Sequence, residues 1–255
     1  MNKIQAIALN TFKEAVRDRI LYAILAFATV MIASTFVLAT IGVGVGPKVI
    51  RDVGLGFISI FGTLIAVFIG IGLVHKEIDR RTIYTIISKP IHRWQFILGK
   101  YLGLGLTLFV NVAVMTAALM SIIFLGEGSW DLRLGAASAM IFLELMVVTG
   151  IAVLFSAFST PALSAIFTLS FFAIGRLLED IRVFGQTYAG PMVGKVIEGL
   201  YYLLPNLSRF NISGEVVHGL PLGEVLSGMT VLYGCLYILA LLSLTAVIFQ
   251  RRDFR

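Results

Sequence analysis

The sequence predicts an all-α membrane protein with six transmembrane helices, an N-terminal interfacial helix, a short helix in a cytoplasmic loop and a further interfacial helix on the outer side. Three observations predict it. Only 13% of the 255 residues are charged and 58% are hydrophobic, whereas soluble domains carry about 25% charged residues. Six apolar runs approach or exceed roughly 20 residues, the length of helix that crosses about 30 Å of hydrocarbon. The 20 Lys and Arg residues are distributed unevenly between alternate connections, as expected of a polytopic chain.

The chain reads as one transmembrane domain over residues 1–255. In residues 1–19, Ile4, Ile7, Ala8, Thr11, Phe12, Ala15 and Val16 recur at helical spacing, with Lys3, Asn10, Lys13, Glu14, Arg17 and Asp18 on the other faces. That pattern suits a helix lying in the membrane interface, and its mixed charge is unlike a cleavable signal peptide. Spans are predicted at Ile20–Ile41, Leu55–Val74, Tyr101–Leu125, Leu134–Phe158, Ala162–Leu178 and Val225–Phe249. Gly-rich links are expected at Gly42–Gly54 and Gly126–Arg133, and Pro161 starts the fifth span after a tight turn. The long connection 179–224 contains "PMVGKVIEGLYYLLP". There Pro191 is placed to start a helix and Pro205 to stop one, and the segment is too short to span.

With the N-terminus inside, the inner segments hold thirteen Lys and Arg and the outer segments seven. The expected orientation therefore puts both termini in the cytoplasm, in a bacterial or archaeal plasma membrane. Basic excess of this kind sets topology, so the formal charge of +6 is no argument for nucleic acid.

The densest charge lies in "EIDRRTIYTIISKPIHRWQFILGKY", residues 77–101. Its basic residues satisfy the orientation rule, but the apolar residues among them do not belong in a solvated loop. Residues 77–87 can form about three helical turns, ended by Lys89-Pro90. A helix with a charged start and an apolar end, held beneath the membrane, suits docking. Apolar side chains would supply affinity and rim charges orientation. Candidate docking residues are Glu77, Arg80, Arg81, Thr82, Ile83, Tyr84, Ile86, Ile87 and Pro90.

Glu144 sits about ten residues into the fourth span, where a charge costs about 2.5–3.5 kcal/mol on insertion scales. Asn111 lies at similar depth in the third span, so a hydrogen bond between them is expected. Glu144 reads either as structural glue or as a polar point in a substrate path. Arg176, Glu179 and Asp180 have the spacing of a local ion pair at the outer end of the fifth span, with Arg176 reaching outward as an anchor. Gly62, Ala66 and Gly70 form a small-residue stripe, and Gly99 and Gly103 flank the start of the third span. Such stripes let helices approach closely, within one chain or in a dimer seam. Asn206 and Asn211 fall in the tripeptides "NLS" and "NIS", a weak glycosylation signal.

Catalytic signals do not emerge. A phosphate-cradling loop needs G-x-x-x-x-G-K-[ST] after a strand, and "GVGVGPKV" from Gly42 departs from it at Pro47 and Val49. Cys235 is alone, and His75, His92 and His218 are scattered, so no clustered metal set is expected.

In order, "EAVRDRIL", "EIDRRTIYTIISKPIHRWQFILGKYLG", "ELMVVTGIAVLFSAFSTP", "YYLLPNLSRFNI" and "FQRRDF" resemble the permease subunits of ABC-2 type ABC transporters. The nearest branch is that of the permease for copper-site maturation of nitrous oxide reductase. The resemblance implies that residues 77–90 form a coupling helix seated in a separate ATPase subunit. Residues 1–19 would be an elbow helix, and the outer connection would carry re-entrant helices. It also implies a homodimer of permease chains in the cell inner membrane, export, and an extracytoplasmic partner protein. ATP and Mg would belong to the ATPase, with no cofactor bound by this chain and no enzymatic activity of its own. Two other readings of the residues stay open: a channel or secondary transporter using Glu144, and a membrane scaffold for assembling a partner enzyme.

Overall fold

The computed structural model describes residues 3–41, 46–79, 92–128, 130–188, 190–220 and 228–251. Nine α-helices and one 3-10 turn lie among them, and no strand. In chain order these are α1 (Lys3–Val16), α2 (Arg19–Ile41), α3 (Gly46–Asp79), α4 (Arg93–Glu127), α5 (Leu132–Ser156), α6 (Pro161–Tyr188), α7 (Pro191–Leu203), the 3-10 turn Leu207–Phe210, α8 (Ser213–His218) and α9 (Gly228–Arg251). Six of them, α2 to α6 and α9, are long and apolar enough to cross a membrane.

α5 is the axis of the bundle. Most of its residues from Met140 to Val153 are buried, with Phe142, Leu143 and Met146 partly so, and it packs on α3, α4, α6 and α9. Such a helix has little water to face, so its sequence is mostly apolar on every side, with Ser138, Glu144, Thr149 and Ser156 as its buried polar residues. α2 and α9 lie outside, with large exposed side chains such as Phe27, Val30, Leu232 and Leu239, as helices facing hydrocarbon do. Side chains interlock where small residues allow it. A Cβ at Gly62 would lie 2.5 Å from Leu145 Cδ1, and one at Gly70 would lie 3.6 Å from Ala152 Cβ. The Gly62/Gly70 stripe therefore seats α3 on α5 within the chain, which is the packing reading and not a dimer seam.

α1 uses its apolar stripe against protein. Thr11 and Ala15 are buried, and α1 packs on α4. A Cβ at Gly103 would meet the Ala8 carbonyl oxygen at 2.5 Å and Thr11 Cβ at 2.6 Å. Gly103→Ala is therefore expected to push α1 off α4 and cost about 1–3 kcal/mol through overpacking. Gly56→Ala, with nothing within 4 Å of the added methyl, is the control and should be close to neutral. Unfolding midpoints in mixed micelles, with proteolysis of residues 1–18, would check both; equal midpoints would mean that α1 is not seated on Gly103.

Several sequence-based boundaries shift. The link expected at Gly42–Gly54 is helical from Gly46; Gly54 lies against Leu119 of α4, so its lack of a side chain serves packing inside a helix. The fifth span does not end at Leu178, because α6 runs on to Tyr188. α7 obeys its signals, with Pro191 at its start and Leu204-Pro205 after its end. It folds back on α6, where Gly185 lies against Ile197. The turn from α4 to α5 is closed by Gly128 at φ 68°, whose N–H donates to the Phe124 carbonyl at 2.8 Å. Asp131 then caps α5 by accepting from the Arg133 N–H at 3.1 Å.

Candidate functional site

The polar centre of the bundle is built on three helices. Glu144 lies twelve residues into α5 and Arg176 lies twelve residues before the end of α6. The two helices are antiparallel across the Ser159-Thr160 turn, so these positions meet at one level, about 18 Å from the Leu132 and Tyr188 ends. Arg176 Nε donates to Glu144 Oε1 at 2.7 Å and Nη2 donates to Oε2 at 2.9 Å. This is the two-pronged geometry that guanidinium and carboxylate favour. Nη2 also donates to Ser59 Oγ of α3. The Arg176 guanidinium stands 5.6 Å from the Phe172 ring centroid, a further contact that a desolvated cation gains from. Glu144 has no exposed surface, whereas the Arg176 side chain is 25% exposed.

Two expectations are corrected here. Asn111 is buried, but its Nδ2 donates to the Thr107 carbonyl of its own helix at 2.7 Å, and Glu144 is engaged by Arg176 on both oxygens. Arg176 is not an outward-reaching anchor paired with Glu179 or Asp180. The continuation of α6 for three more turns places it deep, and it turns inward to Glu144. Asp180 is exposed. Glu179 belongs to a second cluster, where its Oε2 accepts from Tyr201 Oη at 3.1 Å and from Asn206 Nδ2 at 3.0 Å. Arg209 Nη2 donates to Tyr201 Oη at 3.2 Å, and Tyr233 Oη accepts from the Asn206 N–H at 2.9 Å. The Arg182 guanidinium stacks over the Tyr201 ring at 4.2 Å. These bonds tie α6, α7, the 3-10 turn and α9 together. Asn206 is buried with its amide committed to Glu179, which leaves the "NLS" tripeptide without an available acceptor.

Two further charged groups were not singled out by the sequence. Arg51 bridges the α4–α5 turn, with Nη2 at 2.6 Å from Glu127 and Nε at 3.1 Å from Asp131. At the opposite end of the bundle, Lys100 is buried between α1 and α4, its Nζ 3.7 Å from Glu14 and 5.9 Å from the Phe96 ring centroid. Spacing along the chain gave no signal for either, because each pairs elements distant in sequence.

The docking stretch is positioned by its flanks. α3 continues to Asp79 and α4 begins at Arg93, so Glu77 stands in the last turns of α3. Arg80, Arg81, Thr82, Ile83, Tyr84, Ile86, Ile87 and Pro90 fall in 80–91 and lie outside the described residues. Both flanking helices exceed 30 residues, or about 50 Å. They are longer than the hydrocarbon is thick and pack on each other, so whatever acts on 80–91 acts at the joined ends of two core helices.

No curated protein sequence matches the chain. The family profile described as ABC-2 family transporter protein matches residues 5–254, which takes in every helix described above, the 80–91 connection and the Glu144–Arg176 pair. The chain belongs to the ABC-2 transporter family, as one of its multi-pass membrane components.

Proposed function

We propose that the chain is the permease subunit of an ATP-driven exporter, working as a pair of identical chains above two separate ATPase subunits. The observation that carries this reading is the family match over residues 5–254 on a bundle of six helices able to span. ATP and Mg would be held by the ATPase, since the sequence carries no phosphate-cradling loop of its own. Residues 77–90 would be the helix that enters the ATPase, with Ile83, Tyr84, Ile86 and Ile87 as apolar contacts and Glu77, Arg80 and Arg81 at the rim. By its resemblance, the chain stands near the permeases of copper-site maturation, with an extracytoplasmic partner at the α6–α7 end.

ATP-driven closure of the ATPase pair would press on 80–91 and so on α3 and α4. Ser59 of α3 is joined to Glu144 and Arg176, so movement of α3 would be passed to α5 and α6 as one unit. A free carboxylate is what an ion-gradient carrier would need at mid-membrane; an arginine on both oxygens of Glu144 favours the ATP-driven reading instead.

Two measurements test it. Solubilised from its own membrane in mild detergent, the chain should copurify with an ATPase subunit in equal amount, and reconstituted complexes should move substrate only with ATP. Flux that follows an ion gradient without ATP would overturn the reading. The orientation, with both ends and 80–91 in the cytoplasm, is checked with single cysteines at Ser88 and Gly214 in a Cys235→Ala background. An impermeant thiol reagent added outside intact cells should label position 214 and spare 88; the reverse pattern would invert the topology.

A further inference from the structure

A cleft of about 340 Å³ opens between α4 and α5 on the outside of the bundle. It exists because its walls are small: Ala113 and Ala117 on α4, and Gly135 and Ala139 on α5. One end is closed by Phe109 and Phe142, edge to face at 5.7 Å. Thr116 and Ser138 line it from opposite walls. Gly135 lies beside Met120 and Phe109 beside Phe142, so the antiparallel register sets Thr116 and Ser138 at one level.

These two residues, like Thr63 of α3, break a habit of the chain. Thr29, Thr107, Thr149, Thr168 and Thr245 each donate their hydroxyl to the carbonyl four residues earlier, which is how a hydroxyl is satisfied in hydrocarbon. Thr116 and Ser138 are 8% and 5% exposed, and neither hydroxyl has a hydrogen-bond partner. Each has a single χ1 torsion with which to turn its hydroxyl toward the cleft.

We infer that the cleft binds one acyl chain of a glycerophospholipid, with an ester carbonyl accepting hydrogen bonds from Thr116 and Ser138. The depth fits. Ser138 lies six residues, or about 9 Å, inside the start of α5. The Phe124–Trp130 stack, at 4.9 Å between centroids, marks the interface above it, where aromatic rings gather. A carbonyl oxygen has two lone pairs and so can take both donors. The cleft is narrow and open along one side, as an acyl chain lying along the bundle requires. The remaining wall is apolar, as a hydrocarbon tail requires.

The full chain, reconstituted in phosphatidylethanolamine vesicles doped with phosphatidylethanolamine carrying a diazirine near the acyl carbonyl, would be irradiated and the adducts mapped by mass spectrometry. Adducts should concentrate in 109–120 and 135–142. Thr116→Val with Ser138→Ala, close to isosteric, should lower that yield about five- to tenfold. Ala139→Phe, which fills the cleft, should remove it and provides the same readout if the double variant folds poorly. Adducts spread evenly over α2, α4 and α9, or a yield indifferent to these substitutions, would overturn the site. So would oxidative cross-linking between copies carrying Ala113→Cys and Ala139→Cys in a Cys235→Ala background, which would put a second copy in the cleft.

Discussion

Replacing Arg176 with Met is expected to cost about 3–5 kcal/mol of stability, because it leaves the fully buried Glu144 carboxyl without its counter-charge. Glu144→Leu should cost less. The Arg176 guanidinium retains Ser59 and Phe172 as partners. The double variant Arg176→Met/Glu144→Leu should recover most of the loss, since an apolar pair of similar volume avoids the desolvation of both charges. The measurement is the unfolding midpoint of all four forms in mixed micelles, read as a double-mutant cycle. A coupling energy near zero would mean that α5 and α6 are not joined at this level.

Ile83→Asp and Tyr84→Asp are expected to abolish copurification of the ATPase while leaving the chain inserted. Large apolar residues at the centre of a docking surface are worth about 2 kcal/mol or more each when they are hot spots, and a carboxylate in their place must be desolvated as well. Charge reversal at Glu77 or Arg81 should weaken affinity less and instead lower transport per ATP hydrolysed, because rim charges orient more than they bind. Copurification and ATPase rate in reconstituted membranes separate the two effects. If the Asp variants keep their partner and full coupled activity, 82–87 is not the docking surface.

The spans were legible because length and hydropathy are one-dimensional properties, and the prolines at 161, 191 and 205 mark ends by the same local chemistry. Gly46 and Gly54 misled the reading of the second span. Glycine interrupts a helix in water, but in a membrane it is kept where another helix comes close, as Leu119 does at Gly54. The clamp was half legible. Glu144 advertised itself by its cost at mid-membrane, but its partner did not. The apolar run of α6 gives out near Leu178, whereas hydrogen bonding carries the helix on to Tyr188. Depth measured from the apolar edge put Arg176 at the surface, and depth measured from the helix end puts it level with Glu144. The Glu179–Tyr201–Asn206 cluster was hidden for another reason: its members lie on three elements brought together only by the return of α7.

The clamp also sets a condition on how the chain is made. Glu144 and Arg176 are 32 residues apart in sequence, and α5 is synthesised first. At about 5–20 residues per second, the helix that will become the centre of the protein waits roughly 2–6 s for the charge that answers its own. During that interval an unanswered carboxyl faces lipid or the insertion machinery. The short Ser159-Thr160 connection means that α6 arrives beside α5 as soon as it emerges, so the pair can enter the membrane as a hairpin. The order of synthesis thus brings α5 and α6 as a pair onto α3, which is already in the bilayer with Ser59.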